Sequence, residues 1–237
     1  MTVYEEIEQL RKNLKNPTAR NRNRVSMRMF AWDLTIGSSI CFKRLMDILL
    51  SFMAIILLMP LMVVTAFLIK MTSTGSIIFS QARVGKYGRH FKFYKFRSMY
   101  ADAEERKAEL LKYNESGDGV IFKMKDDPRI TPVGRIIRRF SIDELPQLFN
   151  VLLGDMSLVG PRPPLPSEVQ TYTLEERKRL NITPGITCLW QISGRSELSF
   201  RQQMELDKAY IASRSTWKDF QILLKTIPAI LIGRGAW

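Results

Sequence analysis

Two adjacent carboxylates, Asp143 and Glu144, stand in the run Ser141-Ile142-Asp143-Glu144-Leu145-Pro146-Gln147. Arg129, Arg135, Arg138 and Arg139 precede them with no acid between Arg129 and Ile142, and Arg162 follows between Pro161 and Pro163. Guanidinium forks grip phosphate oxygens two at a time, so a carboxylate pair in this setting points to phosphoryl chemistry. Pro146 is tolerated only in the first turn of a helix, which predicts a helix start close to residues 142–145. The free amides and dipole of such a start favour anions. A structural role competes: Ser141-x-x-Glu144 also matches a capping box, and the arginines then only neutralise the carboxylates or face lipid headgroups.

The elements that must position these residues can be read from spacing. Leu145, Leu148, Phe149, Leu152 and Leu153 predict a helix ending at Gly154. A loop with Pro161, Pro163, Pro164 and Pro166 comes next, then a charged helix through Glu175 to Leu180. Upstream, Ile77 to Phe79, a turn through Gly85 and Gly88, and Phe91-Lys92-Phe93 predict a strand pair that continues as Tyr94-Lys95-Phe96-Arg97. Aromatic and basic residues alternate there, a pattern shared by nucleic-acid stacking surfaces and by ordinary half-buried strands. Residues 101–113 predict a charged surface helix, and residues 115–132 an extended loop. Val3, Ile7, Leu10 and Leu14 predict a short amphipathic helix that packs on its own domain or on a second subunit, which makes a homodimer an expected partner. It ends at Asn16-Pro17-Thr18, before a basic strip from Arg20 to Arg24.

Residues 45–69 hold one charge, Asp47, and as a helix would reach roughly 38 Å, enough for a hydrocarbon core of about 30 Å. Pro60 lies mid-run and predicts a break or kink. Lys43 and Arg44 precede the run and Lys70 follows it, so both ends are expected on the cytoplasmic face of a re-entrant segment; a single straight span is the alternative. Trp217, Phe220, Leu223, Leu224, Ile227, Ile230 and Leu231 form a second apolar stripe, interrupted by Pro228 and suited to a core or to a helix in the bilayer interface.

At 237 residues, one catalytic or binding domain with appendages is expected. A net charge of +13 attracts nucleic acid, anionic lipid or anionic substrates and does not choose among them. Cys41, Cys188 and the single His90 have no metal-ligand spacing, so neither a zinc site nor a disulfide framework is expected, and reduced thiols fit a cytoplasmic domain. The charged stretch from Met1 to Lys15 is unlike a cleavable signal.

Several ordered pieces resemble the bacterial sugar transferases called monotopic phosphoglycosyl transferases, or polyprenyl-phosphate sugar-phosphate transferases. They are Lys43-Arg44-x-x-Asp47, Arg83-Val84-Gly85, Lys95-Phe96-Arg97-Ser98-Met99, Ser141-x-Asp143-Glu144-Leu145-Pro146-Gln147-Leu148-Phe149-Asn150-Val151, Gly154-Asp155-Met156-Ser157-Leu158-Val159-Gly160-Pro161-Arg162-Pro163, and Pro184-Gly185-Ile186-Thr187. The resemblance implies a mostly helical α/β monotopic membrane enzyme. Its parts would be a basic tail (1–42), a re-entrant membrane helix broken at Pro60 (43–70) and a cytoplasmic catalytic domain with interfacial amphipathic helices (71–237). It implies transfer of a sugar-1-phosphate from a nucleotide diphosphate sugar, expected to be a UDP-hexose, to undecaprenyl phosphate with release of UMP. This would be the first membrane step of exopolysaccharide, capsule, O-antigen or glycoprotein glycan synthesis, at the bacterial inner membrane among its phospholipids. Thr226-Ile227-Pro228 and Gly233-Arg234-Gly235 resemble the branch that uses glucose or galactose.

In these terms Asp143 is the nucleophile that carries the phosphosugar, Glu144 its partner, and Mg2+ the cofactor held at Asp143 and Glu144. Arg138 and Arg162 are expected to contact phosphate and nucleotide, with Pro161, Pro163, Lys95 and Arg97 as further substrate-binding residues. Cys188 departs from the pattern, standing where similar sequences usually carry glycine. No nucleic acid is expected as a partner. The rival reading is a non-catalytic basic membrane-bound binding or scaffold protein, whose function would survive loss of both carboxylates.

Overall fold

The structure, a computed structural model, describes residues 19–115, 124 and 126–232. The expected helix at residues 3–14 and the Gly233-Arg234-Gly235 motif lie outside these. The chain forms two compact units, Met1–Leu45 and Met46–Trp237. The described part of the first is helical and belongs to α1 (Ala19–Thr72). Everything below concerns the second, which holds both the apolar run and the carboxylate pair.

Within α1, Gly37–Thr72 is long and apolar enough to cross a membrane. Its buried positions in the second unit, Asp47, Ser51, Ile55, Met62, Thr65 and Ile69, are three, four or seven residues apart and form one stripe. The other faces leave large apolar side chains uncovered, with Leu57 at 79% exposure. A continuous apolar surface of this kind marks contact with lipid or a partner. Of the break or kink expected at Pro60, the break is corrected: helical structure continues through the proline. Proline deletes one backbone hydrogen bond and crowds the carbonyl four residues back, while the turns on both sides keep theirs.

Gly75, at φ +113, reverses the chain after α1. β1 (Ile78–Val84) and β2 (His90–Phe96) then pair antiparallel, Phe79 opposite Lys95 and Gln81 opposite Phe93, a longer hairpin than the sequence suggested. α2 (Ala103–Leu110) is the expected charged surface helix. α3 (Pro132–Arg139) starts where Thr131 accepts from the Gly134 amide and Pro132 occupies the first turn. α4 (Gln147–Leu153) ends at Gly154, whose φ of 95° closes the helix as expected. β3 (Ser157–Val159) pairs parallel with β4 (Gly185–Thr187) across an intervening segment with α5 (Pro166–Gln170) and α6 (Leu174–Arg177). α7 (Leu189–Ser193), α8 (Phe200–Ala212) and α9 (Thr216–Ile232) follow, α8 opening with a Ser199/Gln202 capping box.

Three apolar clusters join these elements. Met62 and Ile69 of α1 pack with Phe96 and Ile137; Phe93 packs with Val151 and Met156; Val159 packs with Tyr210 and Ile222. The described chain is thus mostly helical, with two two-stranded sheets. α9 buries Asp219 and Ile222 and exposes Trp217, Phe220, Leu224, Ile227 and Leu231, so most of its apolar stripe is not core. Cys188 is core: it is buried, and burial pushes its thiol well above the ordinary range.

Candidate active site

Asp143 and Glu144 occupy a single 3-10 turn, Ile142–Glu144, between α3 and α4. Ser141 enters that turn with φ 54, a left-handed conformation, and its side chain makes no cap bond, so the capping box is not formed. Pro146 is the N-cap of α4. The pair therefore precedes the helix instead of lying in its first turn.

The charge beside the pair comes from β2. Lys95 Nζ lies 2.7 Å from Glu144 Oε1 and 3.2 Å from Asp143 Oδ2. Arg162 Nη1 lies 3.4 Å from the same Glu144 oxygen. Asn150 of α4 fixes the distance between the two elements: its Oδ1 accepts from Tyr94 N at 3.1 Å and its Nδ2 donates to Lys92 O at 2.7 Å. A buried carboxamide thus mimics a neighbouring strand and sets Lys95 against the carboxylates.

Burial raises Asp143, with Lys95 opposing and the Glu144 charge adding to the rise. Burial also pushes Glu144 upward, but Lys95 and Arg162 outweigh it and hold that carboxyl at about 2. One carboxylate is firmly ionised, and its neighbour binds protons more readily than an ordinary aspartate. Unequal affinities in adjacent carboxyls are a usual mark of divided roles at a reacting centre.

Lys95, Arg97, Arg138, Asp143, Glu144, Arg162 and Pro163 all line one cavity of about 880 Å³. Pro161 is buried and does not line it, while Arg135 and Arg139 of the same basic run are exposed outside it. Arg97 lines the cavity but is committed to the residue just after α1: its Nη2 donates at 2.8 Å to both the carbonyl and the hydroxyl of Ser73. Lys95 near the end of β2 and Arg97 just past it therefore divide the work, one holding the carboxylates and the other the chain that leaves the apolar helix.

The described residues hold no cluster of three or more His, Cys, Asp or Glu suited to a metal. Magnesium is commonly held by one or two carboxylates together with substrate phosphates. Asp143 and Glu144 supply the two carboxylates that such an ion needs beside substrate phosphates.

The bacterial sugar transferase family model matches residues 38–233, which include the cavity, the carboxylate turn and the apolar helix. The chain belongs to that family. It is 53% identical over 163 residues to the galactosyl transferase CpsE of Streptococcus agalactiae serotype III, a match covering 68% of this chain and 36% of the relative. It is 39% identical over 198 residues to the exopolysaccharide production protein ExoY of Sinorhizobium fredii, covering 82% and 88%. It is 42% identical over 213 residues to the undecaprenyl-phosphate galactose phosphotransferase of Salmonella typhimurium, covering 86% and 44%. The chain thus spans less than half the length of two of these relatives and most of the third.

In and around this cavity, sequence reasoning left three residues without a role. Arg195 lines the cavity at φ 51 and helps to lower Glu144. Arg83 lies 5.3 Å over the Phe93 ring, and burial with the nearby Arg162 charge lowers it to about 10. Asp47 is buried, and its Oδ1 accepts from Leu158 N at 3.1 Å, tying α1 to the strand that leads into Arg162. The motif pieces contained Arg83 and Asp47. Arg195 carried no local signal beyond its charge.

Proposed function

We propose that this protein transfers a sugar-1-phosphate from a nucleotide diphosphate sugar, most simply a UDP-hexose, to undecaprenyl phosphate, releasing UMP. The observation that carries the reading is the Asp143–Glu144 pair, Asp143 buried and Glu144 half-buried, bridged by Lys95, with Arg162 beside it, in a cavity large enough for a nucleotide sugar. The names of the Salmonella and Streptococcus relatives support undecaprenyl phosphate as acceptor and galactose as one accepted sugar.

In the first step an Asp143 carboxylate oxygen attacks the phosphorus that bears the sugar. The bond from that phosphorus to the oxygen bridging the two phosphates breaks, and UMP leaves with its electron pair. In the second step a phosphate oxygen of the lipid attacks the same phosphorus, the bond to Asp143 breaks, and the carboxylate is regenerated. Lys95, itself paired with Glu144, holds Asp143 in place, and Lys95, Arg138 and Arg162 offset the charge of the approaching diphosphate. Magnesium, held by Asp143 and Glu144, would further neutralise that diphosphate.

We place the catalytic unit on the cytoplasmic face of a bacterial inner membrane. Asp47 and Ile69, about 33 Å apart along a helix, both touch the catalytic unit, Asp47 at Leu158 and Ile69 in the cluster with Phe96 and Ile137. A helix that left the domain to cross a bilayer would keep contact at one end only. This favours a re-entrant α1 with both ends on one face, and α9 with its exposed Trp217 and Phe220 suits the interface beside it. The product would begin an exopolysaccharide, capsule or other surface glycan.

The test is to incubate the purified protein with magnesium, polyprenyl phosphate and a panel of nucleotide sugars and to measure monophosphate release. UMP together with a lipid-linked sugar diphosphate from at least one UDP-hexose is expected. No release from any donor would contradict the reading.

A further inference from the structure

The loop carrying Arg162 is short of backbone donors. Pro161, Pro163 and Pro164 have no N–H, so the segment cannot be held by reciprocal backbone bonding. Its four consecutive carbonyls are instead held by four different donors. Gly185 N donates to Pro161 O at 2.9 Å and Val84 N to Pro164 O at 3.0 Å. Arg83 Nη1 donates to Pro163 O at 3.1 Å, and Arg179 Nη2 to Arg162 O at 2.8 Å. The last of these acts on the residue whose own guanidinium reaches Glu144.

Arg179 is buried, which is costly for a cation unless its surroundings answer the charge. Tyr172 Oη accepts from its Nη1 at 2.8 Å, and the Asp207 carboxylate of α8 lies 2.7 Å from its Nη2. The Asp207 contact lacks hydrogen-bond alignment, so Asp207 acts there as a counter-charge. A planar fork is thereby shared among Tyr172, Asp207 and the Arg162 carbonyl, a geometry a lysine cannot reproduce.

We propose that Arg179, with Asp207 as its counter-ion, is a positioning residue for the reaction: it fixes the Arg162 backbone so that the Arg162 guanidinium meets the donor diphosphate beside Glu144. This rests on the reading of the cavity as the nucleotide-sugar site. Arg179 acts through Arg162, so its effect requires Arg162 to be present.

A double-mutant cycle tests this. Arg179→Lys, Asp207→Asn, Arg162→Met and the double variant Arg179→Lys/Arg162→Met are purified, and their folding is checked by circular dichroism and thermal melting. Monophosphate release gives kcat and KM, and calorimetric titration with UDP gives affinity. Arg179→Lys and Asp207→Asn are each expected to lower kcat/KM about 10–100-fold, and Arg162→Met by at least as much. The double variant is expected to match Arg162→Met within about twofold. If Arg179→Lys does not fold, Asp207→Asn in the Arg162→Met background takes its place under the same criterion. Losses that multiply in the double variant, from wild-type protein that releases monophosphate, would overturn this inference alone. A wild type that neither releases monophosphate nor binds UDP would overturn the functional reading and this inference together.

Discussion

Asp143 has to satisfy opposing demands, since burial favours its neutral form while attack on phosphorus needs the charged one. The acid limb of kcat/KM against pH is therefore expected above the ordinary aspartate range. Glu144→Gln removes the like charge that helps to raise Asp143 and leaves Lys95 to it alone, so the residual activity of that variant is expected to show its acid limb at lower pH. An unmoved limb would mean that another group titrates. Stability adds a second readout. A carboxyl raised on folding contributes stability below its unfolded pKa and loses it as pH rises through the raised value, so ionised Asp143 costs stability at pH 7. Asp143→Asn is expected to melt no lower than wild type at pH 7 while losing more than about a thousandfold in activity, in the manner of other nucleophile deletions. Glu144, held at about 2, contributes stability above the ordinary carboxylate range, lost only as pH falls towards 2. Glu144→Gln is expected to cost roughly 1–3 kcal/mol at pH 7, because it takes a partner from the half-buried Lys95. The pair itself was legible in the sequence from its basic surroundings. Lys95 as its bridge was only a charge in a motif, because nothing local relates positions 48 and 49 residues apart.

The turn that presents the pair depends on Ser141 in a left-handed conformation, and there sequence pattern and structure part. A capping box predicts that Ser141→Gly removes a side-chain bond and destabilises the protein, since the same letters would satisfy two amides. The observed turn predicts the reverse: glycine adopts positive φ without steric cost, so Ser141→Gly is expected to leave the melting temperature unchanged or raised. Ser141→Val, β-branched at the same φ, is expected to lose on the order of 1–3 kcal/mol. Chemical denaturation of the two variants decides between the readings. The hairpin, α4 with its glycine stop and the charged α2 were legible because apolar period and turn residues act over a few positions. Asn150 was not, since an asparagine on a helical stripe reads as surface until strand β2 is placed against it. Gly185 is similar: a Cβ there would meet Gly160 N at 2.1 Å, a close approach that appears only once β3 and β4 pair.

Across the whole molecule, the apolar run was plain from composition, whereas its hold on the catalytic unit rests on one carboxylate and a stripe. Asp47 and Leu158 are separated by 111 positions, and their bond follows from the fold alone. If both ends of the run face the cytoplasm, Met46→Cys and Thr74→Cys in a Cys41→Ser background are expected to be labelled from the same side in oriented vesicles. Labelling from opposite sides would establish a simple span. The assembled site makes one claim above the others, that Asp143 takes the phosphosugar before the lipid does. The direct measurement is rapid-quench monophosphate release from purified protein given magnesium and its nucleotide sugar without any polyprenyl phosphate, followed by mass spectrometry of the peptide that contains Asp143. The account predicts a burst of at most one monophosphate per active site, a sugar phosphate on that peptide, and neither in Asp143→Asn. No release and no adduct without acceptor, in protein shown to be active once the lipid is added, would contradict it.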